Sequence, residues 1–239
     1  MNLFGQAFAW IFGGDKSGFD EVPVALVVHM AFTFGSVLIA ALVAVPAGWA
    51  IGHTGRWRNV AVGVTGAARA VPSFGLFILL VIIMGVIHQT AAAVVTFVLL
   101  ALPSILAGAY SGFEAIDRRV VDAARGLGMT EWQVLWRVEV PLGMPLLVAG
   151  LRSAVLQVVA TVTIAAYVGL GGLGQYIIAG IPLQRIDMVL GGAILVAALA
   201  LLLDILFAVL QRAVVPRGAR TPRTTTSRRE RLPLEGATP

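Results

Sequence analysis

Residues Asp122–Pro141 read DAARGLGMTEWQVLWRVEVP and carry five charges in a chain that is otherwise unusually apolar. Of the 239 residues, 59% are hydrophobic and only 12% are charged, and the mean hydropathy is +0.92. A soluble domain is nearer half apolar and a quarter charged. The composition therefore indicates an integral membrane protein, in which the quoted stretch is a polar segment between membrane spans.

The net charge of +5 is concentrated at one end of the chain, because seven of the seventeen basic residues lie between Arg212 and Arg231. We expect residues 213–239 to form a disordered basic tail that is attracted to anionic lipid, and no nucleic-acid partner is predicted. The chain has no cysteine, which excludes disulfides and thiolate metal sites. The three histidines show no ligand spacing: His29, His53 and His88. No metal site is predicted.

Apolar tracts long enough to cross a bilayer as helices, about 20 residues each, set the fold class. Four are clear: Val22–Ile51, Ala91–Phe113, Pro145–Val168 and Met188–Leu210. A fifth, Val60–Ile87, contains Arg69 and Pro72, and as one helix it would be about 42 Å long. We expect a break near Val71–Gly75, since proline and its predecessor disfavour a continuous helix. One crossing in two pieces is favoured, and two re-entrant pieces are the alternative.

Lysine and arginine occur mainly in alternate loops, which predicts the orientation in the membrane. Arg56 and Arg58 follow the first span, whereas the opposite loops contain only Lys16 and Arg185. Four arginines precede the fourth span: Arg118, Arg119, Arg125 and Arg137. The prediction is an all-α, five-span membrane domain over residues 22–212. Residues 1–21 would lie outside, and both the tail and the quoted stretch would be cytoplasmic.

Helical apolar spacing continues from Glu114 to Pro141, with an interruption at two glycines, Gly126 and Gly128. Thr130 is expected to cap a second short helix, with Glu131 in its first turn. The apolar residues of this second helix include Trp132 and Trp136, and Pro141 and Pro145 are expected to mark the return to the membrane. A helix resting on lipid headgroups and a docking element for a soluble partner both fit these residues.

The quoted stretch resembles the cytoplasmic signature of the membrane subunits of ATP-binding-cassette (ABC) importers. That signature is Glu-Ala-Ala, three residues, Gly, nine residues and Ile-x-Leu-Pro. The matching residues here are Asp122, Ala123, Ala124, Gly128, Val138, Val140 and Pro141. Every gap has the same length, and the departures are Asp for Glu and Val for Ile and for Leu.

The similarity extends over roughly Val22–Arg212 and is greatest to permeases for glycine betaine, choline and related osmoprotectants, with methionine permeases next. Further matching segments are Ala70–Phe74, Ala101–Pro103, Val168–Gln175 and Leu203–Asp204. The resemblance implies a type I importer fold of the methionine-permease kind, in which the short helix after the glycine inserts into the ATPase and couples hydrolysis to transport. The coupling residues implied are Asp122, Ala123, Ala124, Gly128, Thr130, Glu131, Trp132, Trp136 and Pro141.

The same resemblance implies the partners of the chain. These are separate ATPase subunits, an external substrate-binding protein, and a second permease copy or a sister permease. ATP would be bound by the ATPase, so this chain would hold no cofactor and no catalytic residue. The alternatives are a permease for methionine or another amino acid and, in a different class, an ion-coupled carrier. The carrier is disfavoured because Asp204 is the one carboxylate predicted within a span and no repeat is visible.

A G-x-G-x-x-G pattern at Gly169–Gly174 is interpreted as an outer turn, because it follows a membrane span rather than a strand. Three charges lie within predicted spans: Arg69, Arg152 and Asp204. All three would be about 10–14 Å from a cytoplasmic helix end. Either the arginines snorkel independently, or Asp204 pairs with one of them and fixes helix packing or an inner gate. The candidates for the translocation path or gate are Arg69, Pro72, Ser73, Phe74, Arg152 and Asp204.

Overall fold

The computed structural model describes residues 2–13, 16 and 18–215, without the side chain of Arg69. Most of the predicted tail therefore lies outside the described residues. The helices are α1 (Leu3–Gly13), α2 (Val22–Thr54), α3 (Arg58–Ala70), α4 (Ser73–Met84), α5 (Gln89–Glu114), α6 (Arg118–Gly126), α7 (Glu131–Val134), α8 (Val140–Val162), α9 (Gly174–Gly180) and α10 (Ile186–Val214). Short 3₁₀ segments follow α4 and α8, and a π-helical segment joins α7 to α8. The predicted all-α class is confirmed.

Four helical segments are long and apolar enough to cross a membrane: Val22–Thr54, Val86–Glu114, Glu131–Val168 and Ile186–Val214. They contain the four clear tracts of the sequence. Helices α3 and α4 make a fifth crossing if they are counted as one broken span, and their axes differ by 87°. The predicted break is present at Val71 and Pro72, which have extended backbone conformations. Whether α3 and α4 cross the membrane once as a broken span or form two re-entrant pieces stays a prediction.

Helices α2, α5 and α8 form the centre of the bundle, and small residues allow their backbones to approach closely. A Cβ atom on Gly108 of α5 would lie 2.7 Å from the carbonyl oxygen of Leu146, and one on Gly112 would lie 2.6 Å from that of Gly143. Large apolar side chains fill the remaining space: Phe77, Phe97, Ile105, Val155, Val158 and Val159. Close backbone contact therefore replaces much of the side-chain interlocking found in soluble cores.

The two prolines that were predicted to mark the return to the membrane lie within a continuous helical stretch. The chain is helical without interruption from Glu131 through α8, and the fourth span is longer than the sequence suggested. Pro141 has no N–H group to donate to the carbonyl four residues earlier. The π-helical segment Leu135–Glu139 precedes it, and the N–H of Val140 donates to Leu135. This wider turn admits the proline without ending the helix.

Helices α1 and α9 pack on α10 at the opposite end of the bundle from α6 and α7. The buried ring of Trp10 meets Tyr176 edge-on at 5.0 Å, and the Tyr176 hydroxyl donates to the carbonyl of Asp20 at 2.6 Å. Burial raises the pKa of Tyr176 to about 12. The G-x-G-x-x-G segment is a turn with several residues at positive φ, including Gly169 and Gly171, as its interpretation required.

Candidate functional site

Helices α6 and α7 form a compact unit, and local sequence accounts for both of their starts. The side chain of Asp117 accepts a hydrogen bond from the backbone N–H of Arg119 and caps α6. Thr130 caps α7 through a capping box, in which its side chain and that of Gln133 each accept a backbone N–H. The predicted cap at Thr130 is therefore present. We call residues 118–139 the α6–α7 unit.

The turn between the two helices depends on Gly128, which has φ +83°. A Cβ atom at this position would meet nothing within 4 Å. The requirement for glycine is therefore conformational rather than steric, because side-chain-bearing residues rarely adopt this φ. The turn brings Val134 against Val121 and Ala124, which form a small apolar cluster separate from the main core.

The outer surface of the α6–α7 unit is unexpectedly apolar. Leu127, at the tip of the turn, is 85% exposed, and Trp132, in the first turn of α7, is 69% exposed. Asp122 and Ala123 are also exposed, on the second and third turns of α6. Sequence reasoning selected Trp132 but missed Leu127, although a leucine between two helix-breaking glycines is a recognisable signal. Exposed apolar side chains at the tip of a polar loop are typical of a binding surface.

An exposed ion pair fixes the angle between the two helices. Arg125 Nε donates to Glu131 Oε1 and a terminal nitrogen of Arg125 donates to Glu131 Oε2, both at 2.9 Å. The hydrogen bond to Glu131 raises the pKa of Arg125 above its ordinary value. Asp122 lies 3.8 Å from Arg125 and adds to the same charge cluster. The Glu131 side chain is 59% exposed, so its predicted role in coupling stays a prediction.

Tryptophan rings join the α6–α7 unit to α2. Trp136 meets Trp49 at 5.6 Å and Trp132 at 5.6 Å, each in an edge-on geometry. Trp49 also stacks on Phe113 at 6.1 Å. Trp136 contacts two rings of the chain and is still 45% exposed, whereas Trp132 is 69% exposed.

A buried carboxylate makes a second connection to α2. Glu139, in the π-helical segment, contacts His53 Nδ1 at the end of α2. The other ring nitrogen of His53 lies 3.5 Å from Glu131. Sequence reasoning missed this pair, and its one signal was the position of Glu139 between Val138 and Val140, which favours burial. Pro141 lies two residues beyond Glu139, in the first turn of α8.

Within the spans, Asp204 of α10 pairs with Arg152 of α8. Arg152 Nε and a terminal nitrogen donate to the two carboxylate oxygens, both at 2.6 Å. The structure thus contains one of the two pairings that the sequence left open. The side chain of the other candidate, Arg69, lies outside the described residues. A role of this pair in an inner gate stays a prediction.

The remaining path candidates lie at the break between α3 and α4. Pro72 precedes α4, and Ser73 is its first residue. The ring of Phe74 is 44% exposed and lies 5.3 Å from that of Tyr167, in the 3₁₀ segment after α8. Tyr167 was missed, because nothing in the local sequence connects it with Phe74.

The signature segment, its capped helix and the bundle of apolar spans are those of one transporter family. The family described as "Binding-protein-dependent transport system inner membrane component" matches residues 40–219. The chain belongs to this family. It is a multi-pass membrane permease of the ABC importer class, as the resemblance predicted.

Curated relatives in this family resemble the chain over most of its length. The carnitine transport permease protein OpuCB of Listeria monocytogenes is 33% identical over 82% of this chain and 88% of its own. The glycine betaine/carnitine/choline permease OpuCB of Bacillus subtilis (strain 168) is 31% identical over 80% and 87%. The osmoprotectant import permease OsmW of Salmonella typhimurium is 33% identical over 80% and 91%.

The fold is that of a solved importer. An inward-facing MetNI methionine ABC transporter structure matches with a TM-score of 0.70 over 82% of this chain and 96% of that one. Its sequence identity is 21%, so it supports the fold alone. The predicted methionine-permease-like, type I transmembrane domain is confirmed. The assignment of individual residues to coupling or to the path stays a prediction.

Proposed function

We propose that the chain is the permease of an importer for osmoprotectants with a quaternary ammonium group, such as glycine betaine, choline or proline betaine. The names of its relatives at 30–33% identity support this, since they refer to carnitine, choline and glycine betaine. Methionine is the second candidate, since the sequence also resembles methionine permeases; the solved methionine transporter supports the fold and not the solute. Family membership removes the reason to invoke an ion-coupled carrier.

The α6–α7 unit is the proposed contact with a separate ATPase subunit. The observation that carries this is the exposure of Leu127 and Trp132 on a turn stiffened by the capping box and the Arg125–Glu131 pair. Apolar anchors on a pre-organised surface are typical of protein interfaces. The sequence contains no P-loop pattern, in keeping with ATP bound and hydrolysed by the partner. The continuous helix from Glu131 into α8 would transmit movement of the ATPase directly to a membrane span.

The proposed orientation places the α6–α7 unit and the tail in the cytoplasm and the N-terminus outside. Its support is the arginine content of alternate loops. The chain has no cysteine, so single cysteines report exposure without background. Gln89→Cys should react with an impermeant thiol reagent in intact cells, and Thr130→Cys should react only after the membrane is opened. Labelling of Thr130→Cys in intact cells would overturn the orientation.

The proposed assembly contains two permeases, either two copies or a copy and a sister subunit, with two ATPases and an external binding protein. The deciding measurement is ATP hydrolysis by the reconstituted complex in the presence of its binding protein and each candidate solute. Stimulation by glycine betaine, choline or carnitine, and not by methionine, would support the proposed solute class. Stimulation by methionine alone would replace it with the second candidate.

A further inference from the structure

We propose that Phe74 and Tyr167 form a cation–π site in the translocation path, which holds the trimethylammonium group of the solute as it passes. The two rings lie 5.3 Å apart at an interplanar angle of 60°, and 44% and 60% of the two residues are exposed. The inference rests on the solute class proposed above. It adds a site within the membrane and the two residues that build it.

The exposed face of α8 differs from the exposed faces of its neighbours. Going along α8 and its 3₁₀ extension, exposed residues recur every seven positions: Leu146, Ser153, Ala160 and Tyr167. Gln157 and Thr163 are partly exposed on the same segment. Small and polar side chains at membrane depth normally face other subunits or a water-filled path rather than lipid. Tyr167 thus stands at one end of a stripe that has the composition of a path wall.

Helix α10 provides the contrast within the same chain. Between residues 193 and 210 its exposed side chains are all apolar: Ala193, Ala197, Ala198, Leu201, Leu202, Ile205, Leu206, Val209 and Leu210. Such a face is compatible with lipid tails. Because the two helices differ so clearly, we place the α8 stripe, and with it the Phe74–Tyr167 pair, on the side that faces the second permease.

The hydroxyl of Tyr167 supports a wet environment. Tyr167 is 60% exposed, and its ring contacts that of Phe74. A hydroxyl left in hydrocarbon without a partner is costly. Water or solute in the path removes that cost, and the ring remains available to a ligand.

The chemistry of the two rings suits the proposed solute. A trimethylammonium group has a full positive charge and no N–H donor, so an aromatic face binds it better than a hydrogen-bond acceptor does. The break at Pro72 allows α4 to begin beside Tyr167 and points an aromatic residue at that ring. A site of two rings without a carboxylate binds weakly. Weak binding is what a transport path requires, because the solute must also leave.

The test measures transport by the complete complex in proteoliposomes, with its binding protein loaded with choline or glycine betaine. Phe74→Leu and Tyr167→Leu keep the apolar character and remove the ring. Each is expected to lower uptake about three- to thirtyfold, the range of cation–π contacts. Hydrolysis stimulated by the binding protein should stay within about twofold, since its docking surface is unchanged. Tyr167→Phe and Phe74→Tyr keep the rings and should retain uptake.

The matched control is Phe34→Leu, which removes an exposed ring from α2 that has no ring contact with the pair; its uptake should equal that of the original chain. Full uptake by both leucine variants at equal abundance would overturn the site. Loss of membrane abundance in both, with normal uptake per molecule, would assign the rings to the lipid interface instead. If the unmodified complex is not stimulated by any trimethylammonium solute, the proposed function fails, and this outcome is distinct from failure of the site.

Discussion

Two arginine–carboxylate pairs in this chain have the same bidentate geometry in different surroundings. Arg152 and Asp204 join α8 to α10 at 2.6 Å within membrane spans. Arg125 and Glu131 join α6 to α7 at 2.9 Å in a polar loop. In lipid, a charge that loses its partner has little water to hydrate it. In water, the freed charge is rehydrated at little cost.

The difference indicates what each pair does for the protein. The pair in the spans holds two helices together, so its loss should be felt as instability. The pair in the loop only sets the shape of the α6–α7 unit, whose contribution to function lies in the apolar side chains it presents, Leu127 and Trp132. Four predictions test this difference between the two pairs. The failure of each prediction would contradict a different part of it.

The largest effect is expected from Asp204→Ala, which leaves Arg152 without a partner within the membrane. The melting temperature of the purified permease should fall on the order of 10 °C, because breaking a desolvated pair leaves an uncompensated charge. Thermal unfolding followed in lipid nanodiscs provides the measurement.

The matched control is the double variant Arg152→Leu with Asp204→Leu, which removes both charges. It should recover most of the lost stability, since an apolar pair often replaces an ion pair without loss. If uptake by this stable double variant is still impaired, the pair acts in the gate as well as in packing. An unchanged melting temperature for Asp204→Ala would contradict the comparison outright.

The features that sequence predicted correctly depend on residues close together in the chain. The cap at Thr130 needs only Gln133, and the break at Pro72 follows from proline itself. Proximity in the fold was not predictable in the same way. The similar distances of the three charges from the cytoplasmic helix ends allowed Asp204 to pair with an arginine. These distances did not distinguish Arg152 from Arg69.

No local signal paired His53 with Glu139 or Phe74 with Tyr167, although the valines beside Glu139 favour its burial. Both contacts join segments that are distant in the chain and are created by the packing of the bundle. The π-helical segment before Pro141 was also not predicted from the sequence. A local rule about proline was overridden by a π turn, which satisfies the backbone in a way that composition does not reveal.

The second prediction concerns Trp132→Ala. If Trp132 is an anchor for the ATPase, its loss should weaken association by about 2 kcal/mol, or roughly thirtyfold in the dissociation constant. The melting temperature of the free permease should change little, because most of this side chain is exposed. Copurification and titration of the ATPase measure the effect. Leu201→Ala, on the aliphatic face of α10, is the control and should leave association unchanged.

The third prediction uses two neighbouring glycines. Gly128→Ala introduces a side chain at φ +83°, which costs about 1–2 kcal/mol. The α6–α7 turn should shift to relieve it, and ATPase association should fall by about tenfold. Gly126→Ala is the matched control, since Gly126 is helical and its Cβ would also meet nothing within 4 Å. Equal loss in both variants would show that flexibility, and not the positive φ of Gly128, matters at this turn.

The smallest effect is expected from Arg125→Ala, which removes the exposed ion pair. The melting temperature should change by about 3 °C or less, because Glu131 regains water when its partner is lost. Raising the salt concentration should weaken the pair in the original chain, since charges in water are screened over about 10 Å at 0.1 M. The difference between the original chain and Arg125→Ala should therefore shrink as salt is added, whereas the deficit of Asp204→Ala should persist.

Arg125→Lys keeps the charge and loses the bidentate geometry, so it separates the effect of charge from that of shape on ATPase association. A drop in melting temperature as large as that of Asp204→Ala would mean that the loop pair, despite its exposure, holds the fold together, and the contrast between water and lipid would not explain the two pairs.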